Sequence, residues 1–295
     1  MAAAYRSRRR PNLLRTCVIY TAAVLFGVYL VAPFAWQVIT SVMPETEARS
    51  VPIHWIPQSA TLDNYTSFFA PTGRRAVAGG RGAENTPRAL LNSSVVAGSV
   101  ALINLVIGSA AAYPLARRKF RGAGGLLLFY IASRMVPGIV IMLAVYMLMQ
   151  ALGLLDTLGS LVLMHTTFTL PFSIWLLRGY FAAVPPDLDD AARVDGCNWF
   201  QMMWRILLPL SKPGLTAVAM FSFLGSWSEF LFALLLTSTM NSKTIPVVVS
   251  EFVTDQNIDY GFLAAAGVLA VIPPVLLALF FQRWIIQGLV AGSGR

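Results

Sequence analysis

The sequence predicts an all-α, polytopic membrane protein with six transmembrane helices and both termini in the cytoplasm. Three observations carry that fold class. The 295 residues are 57% hydrophobic and only 12% charged, against roughly one quarter charged in soluble domains. Apolar runs of bilayer-spanning length recur along the chain. Arg and Lys gather beside particular span ends, where the positive-inside rule reads them as cytoplasmic markers. The net charge of +9 is thereby assigned to orientation, and no basic-aromatic module points to nucleic acid.

Residues 1–16 form a basic cytoplasmic N-terminus with Arg6, Arg8, Arg9, Arg10 and Arg15. Span one follows from Cys17 to about Ile39, too long and too poor in a small-residue cleavage site for a signal peptide. An outer loop over 43–89 holds Pro52, Pro57, Pro71 and Pro87, a Gly/Arg/Ala-rich patch at 73–85, and at 62–69 a short amphipathic helix expected at the interface. Span two, about Asn92–Leu115, is rich in Ala, Gly and Ser, which lets membrane helices approach closely. It ends on Arg117, Arg118, Lys119 and Arg121, which fix that end inside. Span three, about Leu126–Leu152, is interrupted by Pro137 and Gly138. A short outer turn around Asp156 leads to span four, about Leu158–Leu177. Span five is expected over Leu215–Leu236, and span six over Phe262–Ile286 with a kink at Pro273 and Pro274. A single membrane domain thus covers 17–290, with a cytoplasmic tail at 291–295. Arg49, Arg74, Arg75, Arg81 and Arg88 of the first outer loop run against the positive-inside pattern.

Between spans four and five lies a polar, small-residue segment, 185–213. Pro185 and Pro186 stop the preceding helix, and Asp187, Asp189 and Asp190 then fall in the first turn of a new one, where carboxylates meet the positive end of the helix dipole. At a 3.6-residue period Leu188, Ala191, Ala192 and Asp195 share one face, while Asp189 and Asp190 precede Arg193 by four and three residues. Gly196 can close the helix in a left-handed cap. A face of small residues suits docking into a partner's groove, although a helix that merely joins two spans is the commoner object.

The spacing of this segment is specific. An acid with two alanines, three residues, Gly, nine residues, Ile, one residue and Leu-Pro fits Asp190, Ala191, Ala192, Gly196, Ile206, Leu208 and Pro209. It resembles the EAA loop of ABC importer permeases, with Asp190 in place of the usual Glu. Other motifs follow in the order of the carbohydrate-type, MalG-like permeases: NY at 64–65, NSS at 92–94, MVP at 135–137, LPF at 170–172, W-x-E-F at 227–230 with Ser228 replacing Asn, then QR and GLVAG between 282 and 292. The 73–85 patch looks like an insertion outside that pattern.

The resemblance implies a type I ABC importer permease fold in the cytoplasmic (inner) membrane. It further implies that Leu188, Asp190, Ala191, Ala192, Asp195 and Gly196 form the coupling helix that plugs into an ATPase subunit. The implied partners are a second permease subunit, two ATPase subunits that bind ATP and Mg, and an extracytoplasmic sugar-binding lipoprotein that delivers the substrate. The implied activity is import of a sugar or oligosaccharide. The same build for another solute, such as a glycerophosphodiester or an amino acid, is the alternative.

The residues agree with a subunit that is not itself an enzyme. There is no G-x-x-x-x-G-K-[ST] loop to cradle nucleotide phosphates, no hydrolytic triad and no metal spacing, so no cofactor is assigned to this chain. Cys17 and Cys197 are too far apart for a disulfide framework, and His54 and His165 read as satisfied or interfacial residues. A self-powered carrier would require coupling-ion ligands at mid-membrane and usually an internal repeat, and only Arg134 and Glu229 are candidates. Each charge costs about 2.5 to 3.5 kcal/mol if it faces lipid, so both are expected to face protein or water. They either line the translocation path or brace a neighbouring helix. Trp227 and Trp175 are placed either against sugar rings or in packing.

Overall fold

The computed structural model describes residues 13–69, 86–118, 120–253 and 258–293. Arg6, Arg8, Arg9, Arg10, the 73–85 patch, Lys119 and the last two residues lie outside them. Among the described residues there is no strand. Four helices are long and apolar enough to cross a membrane, or six if each of two bent helix pairs counts as one span. They group into two compact units.

The first unit contains the described residues up to Tyr65 with Asp259–Val268. Helix α1 (Leu13–Ser41) is apolar all round, and its most hydrophobic window contains no buried residue. Two short helices follow, α2 (Glu45–Ala48) and α3 (Asp63–Thr66). The amphipathic helix expected over 62–69 is thus only one turn long, because Asn64 points inward rather than along a membrane surface. Its amide donates to the Ser41 and Met43 carbonyls at 2.7 and 2.9 Å, satisfying the frayed end of α1. Arg49, which ran against the orientation rule, is locally paired: Glu45 lies 3.1 Å away and the Tyr260 ring 5.8 Å away.

The second unit contains 66–258 and 269–293 among the described residues. Its centre is α4 (Thr86–Arg117), α7 (Leu158–Ala183) and α11 (Lys212–Trp227). Small residues let these helices approach: a Cβ at Gly214 would collide with the Tyr180 ring. A buried polar junction joins all three, with the Asn104 amide donating to Thr169 Oγ1 at 2.6 Å and Ser222 Oγ at 2.8 Å. In lipid, such side-chain bonds lock helix register.

Two expected spans are broken. Span three divides into α5 (Ala123–Ser133) and α6 (Gly138–Ala151), bent by 92° across Arg134–Pro137. The breaker at Pro137 and Gly138 therefore acts as a corner rather than a kink. Span five, read as continuous over Leu215–Leu236, is two helices: α11 stops at Trp227, and α12 (Leu231–Leu236) begins after an irregular Ser228–Phe230. The polar segment supplies α8 (Asp187–Val194), α9 (Trp199–Met202), a π-helical stretch at Met203–Leu207 and α10 (Leu208–Leu210), and the Trp199–Leu210 rod meets α11 at 84°. After α13 (Ile245–Ser250), helix α14 (Tyr260–Ser293) runs on through Pro273 and Pro274.

Candidate functional site

Helix α8 starts at Asp187 and ends at Val194, with Asp195 as its C-cap and Gly196 at φ +77, the left-handed geometry read from the sequence. The face read there is open except at Ala192. Asp189 turns inward and makes an ion pair with Arg117 at the end of α4, 2.9 Å apart, with both side chains under 10% exposed. Arg117 also donates to the Val184 carbonyl at 2.8 Å, so one guanidinium clamps α4, the end of α7 and α8 together. Ala192, one turn beyond Asp189, is 3% exposed and packs with Leu177, Phe181 and Met202. Ala192 is therefore part of this chain's own core and not of an open docking face. Only Asp190 pairs with Arg193, at 3.6 Å on the surface. The open side presents Leu188, Ala191 and Asp195, along with Val194, which is 88% exposed and which the sequence reading passed over.

The second site lies at the two helix breaks. Glu229 occupies the gap between α11 and α12 and accepts the backbone N–H groups of Phe232 and Ala233 at 2.9 and 3.0 Å, capping α12. Its Oε2 also lies 3.1 Å from His165 Nε2, and His165 Nδ1 lies 2.7 Å from Ser226 Oγ. With Nε2 protonated, the ring donates to the carboxylate and accepts the Ser226 hydroxyl. His165, read as a satisfied histidine, is satisfied by the very acid singled out for the path. Glu229 braces α12 and α7 rather than Arg134.

Arg134 closes α5 and projects over two rings, with its guanidinium carbon 5.4 Å from the Phe172 centroid and 5.1 Å from that of Phe221. Among the described residues it has no carboxylate partner. Arg134, Glu229, His165, Thr169 and Gly225 line one cavity of about 360 Å³. Trp227 does not join them. Its ring is 6% exposed, stacks on Phe223 at 5.5 Å, and donates Nε1–H to the Ala270 carbonyl at 3.1 Å. Two residues past Gly225, it points to the opposite side of α11, as a helical period requires. Trp175, by contrast, is 42% exposed and lines a larger cavity of about 730 Å³ towards α8.

Elsewhere in the second unit, Asp156 (φ 59) in the α6–α7 turn accepts Ser238 N–H at 2.8 Å, Thr239 N–H at 2.9 Å, the Thr239 hydroxyl at 2.7 Å and the Ser242 hydroxyl. Partial burial pushes its pKa up, but the Ser242 hydroxyl and the Thr239 and Ser238 donors outweigh that and hold the carboxyl well below the usual carboxylate range. The acid in a turn was legible, but its four donors lie more than eighty residues away in sequence.

The family described as binding-protein-dependent transport system inner membrane component matches residues 104–290. The trehalose/maltose transport system permease protein MalG of Thermococcus litoralis is 32% identical over 286 residues, 96% of this chain and 98% of that protein. The diacetylchitobiose uptake system permease protein DasC of Streptomyces coelicolor is 32% identical over 273 residues, 92% of this chain and 94% of that protein. Among solved structures, a bacterial ABC transporter involved in the import of the acidic polysaccharide alginate superposes with a TM-score of 0.76 at 18% identity, over 97% of this chain and 100% of the matched chain, which establishes the fold. With a family match over the whole bent-helix core and relatives aligned nearly end to end, the chain belongs to the inner membrane components of binding-protein-dependent transport systems.

Proposed function

We propose that this chain is one of two transmembrane subunits of an ATP-driven importer for a sugar or oligosaccharide delivered by an extracytoplasmic binding protein. ATP hydrolysis belongs to two separate subunits, and α8 receives their stroke. The observation that carries this reading is the mounting of α8. An eight-residue helix is clamped by a buried ion pair to two spans, yet it leaves Leu188 and Val194, 39% and 88% exposed, without cover. A rigid lever with an apolar open face transmits displacement from a partner's groove to the helices it is fixed to. The sugar class is supported by the trehalose/maltose and diacetylchitobiose relatives.

Leu188→Asp with Val194→Asp tests the lever, because both positions are open and the fold does not depend on them. The variant is expected to reach the membrane, to lose co-purification of the ATPase, and to lose uptake of radiolabelled disaccharide in proteoliposomes. Retained co-purification with wild-type uptake would refute the docking role. Preference for an anionic solute over neutral sugars would overturn the substrate class.

A further inference from the structure

The two cavities lie about two turns apart along α7. The smaller holds Phe168 and Thr169, the larger holds Trp175, Leu176 and Gly179, and Phe172 stands between at helical spacing. On α11 the same order runs from Gly225 through Phe221 towards Ser211 and Pro213. Phe172 and Phe221 touch, with ring centroids 4.3 Å apart and planes tilted by 46°, and Phe172 continues to Trp175 at 5.7 Å. Ring contact at that separation leaves no water-sized passage between them. Arg134 caps the pair from the α5–α6 corner.

We propose that Phe172 and Phe221, capped by Arg134, form the constriction between an outer and an inner chamber of the translocation path, and that they double as the platform on which a neutral sugar ring stacks. The inference rests on the importer reading and deepens it. A sugar's apolar face and a guanidinium compete for the same aromatic surface. Arg134 has no carboxylate holding it there among the described residues, so it can leave the rings to a sugar and use its donors on the sugar's hydroxyls. The 92° corner that carries Arg134 supplies the movable arm, since Arg134 and Met135 are tied back only by single-turn bonds to the Ile131 and Ala132 carbonyls, at 3.2 and 3.0 Å, where α5 ends. Glu229 and His165 then hold the far wall still.

The complex with its ATPase, reconstituted in proteoliposomes, tests this through two readouts. Arg134→Gln is expected to raise ATP-independent leak of preloaded disaccharide about tenfold while ATPase co-purification is kept. Phe172→Ala is expected to cut coupled uptake at least tenfold, with Phe172→Trp restoring it. A second measurement does not depend on loosened packing. In a background of Cys17→Ser and Cys197→Ser, a cross-link between Arg134→Cys and Phe221→Cys is expected to stop uptake until it is reduced. Wild-type leak in Arg134→Gln together with unimpaired uptake in the cross-linked protein would overturn the constriction. Failure of the wild-type complex to move any sugar would instead strike the substrate class, and glycerol leak would still read the gate.

Discussion

Removing the charge of Asp189 tests whether α8 is a lever or only a connecting helix. In Asp189→Asn the shape stays and the ion pair at 2.9 Å is lost, leaving an Arg117 guanidinium that is 8% exposed with only the Val184 carbonyl to bond. Breaking a buried pair costs about 3 to 5 kcal/mol. Because this pair stands at the end of the spans, where the headgroup region is polar, the lower figure applies, and about 3 kcal/mol is roughly a hundredfold in the equilibrium between clamped and loose α8. The remaining contact, Ala192 in the core, is a single methyl group worth about 1 kcal/mol, too little to hold the helix by itself. The expected result is a subunit that still inserts and still binds ATPase, but hydrolyses many ATP per sugar moved. Hydrogen exchange over Asp187–Val194 should rise roughly a hundredfold in parallel. Arg117→Asp combined with Asp189→Arg should recover much of the coupling. Unchanged exchange and an unchanged ATP-to-sugar ratio in Asp189→Asn would refute the clamp.

Glu229→Ala leaves two backbone donors and His165 without their acceptor, so the purified subunit should lose about 2 to 4 kcal/mol of stability, and Glu229→Gln about half of that, both read by thermal unfolding. Equal melting of Ala and Gln variants would remove the capping role. Asp156→Ala should cost on the order of 2 kcal/mol at neutral pH. Since the folded carboxyl is depressed, this contribution is complete above the ordinary carboxylate pKa and is lost only as pH falls through the lower folded value; a wild-type advantage that vanished near pH 6 would contradict it. For topology, Val194→Cys in the background lacking native cysteines should react only with a permeant reagent, and Val51→Cys, 95% exposed in the first outer loop, with an impermeant one. Equal reactivity of both would refute the orientation.

Spans were legible because hydropathy is additive along the chain, whereas the hinges were legible only where a breaker residue advertised them. Pro137 and Gly138 announced the first corner. Nothing in Trp-Ser-Glu-Phe breaks a helix by propensity, and the signal at the second was chemical instead. A lone acid in an apolar run must find donors, and freed N–H groups at a helix start are the nearest ones. Arg117 read as a topology charge because its partner is seventy-two positions away. On an eight-residue helix Ala192 belongs equally to two faces, and only the inward pull of Asp189 decides between them.

Outside the loop that carries α8, several motifs of the family resemblance turn out to be fastenings rather than surfaces. Asn64 holds the end of α1, and Tyr65 bonds Ser41 at 2.7 Å. Asn92 reaches the Asn241 and Lys243 carbonyls at 3.1 and 2.9 Å, and Ser93 takes the Ile245 N–H at 2.9 Å. Met-Val-Pro makes one corner, Glu229 caps the other, and Phe172 closes the gap between cavities. A transporter that switches between two arrangements needs its joints to be more exacting than its rods, because any apolar residue of fitting volume serves in a span, while a polar fastening in lipid has one satisfactory partner. Substrate discrimination is then expected at Trp175 and Phe221, which belong to none of those motifs and are free to vary with the ring they meet.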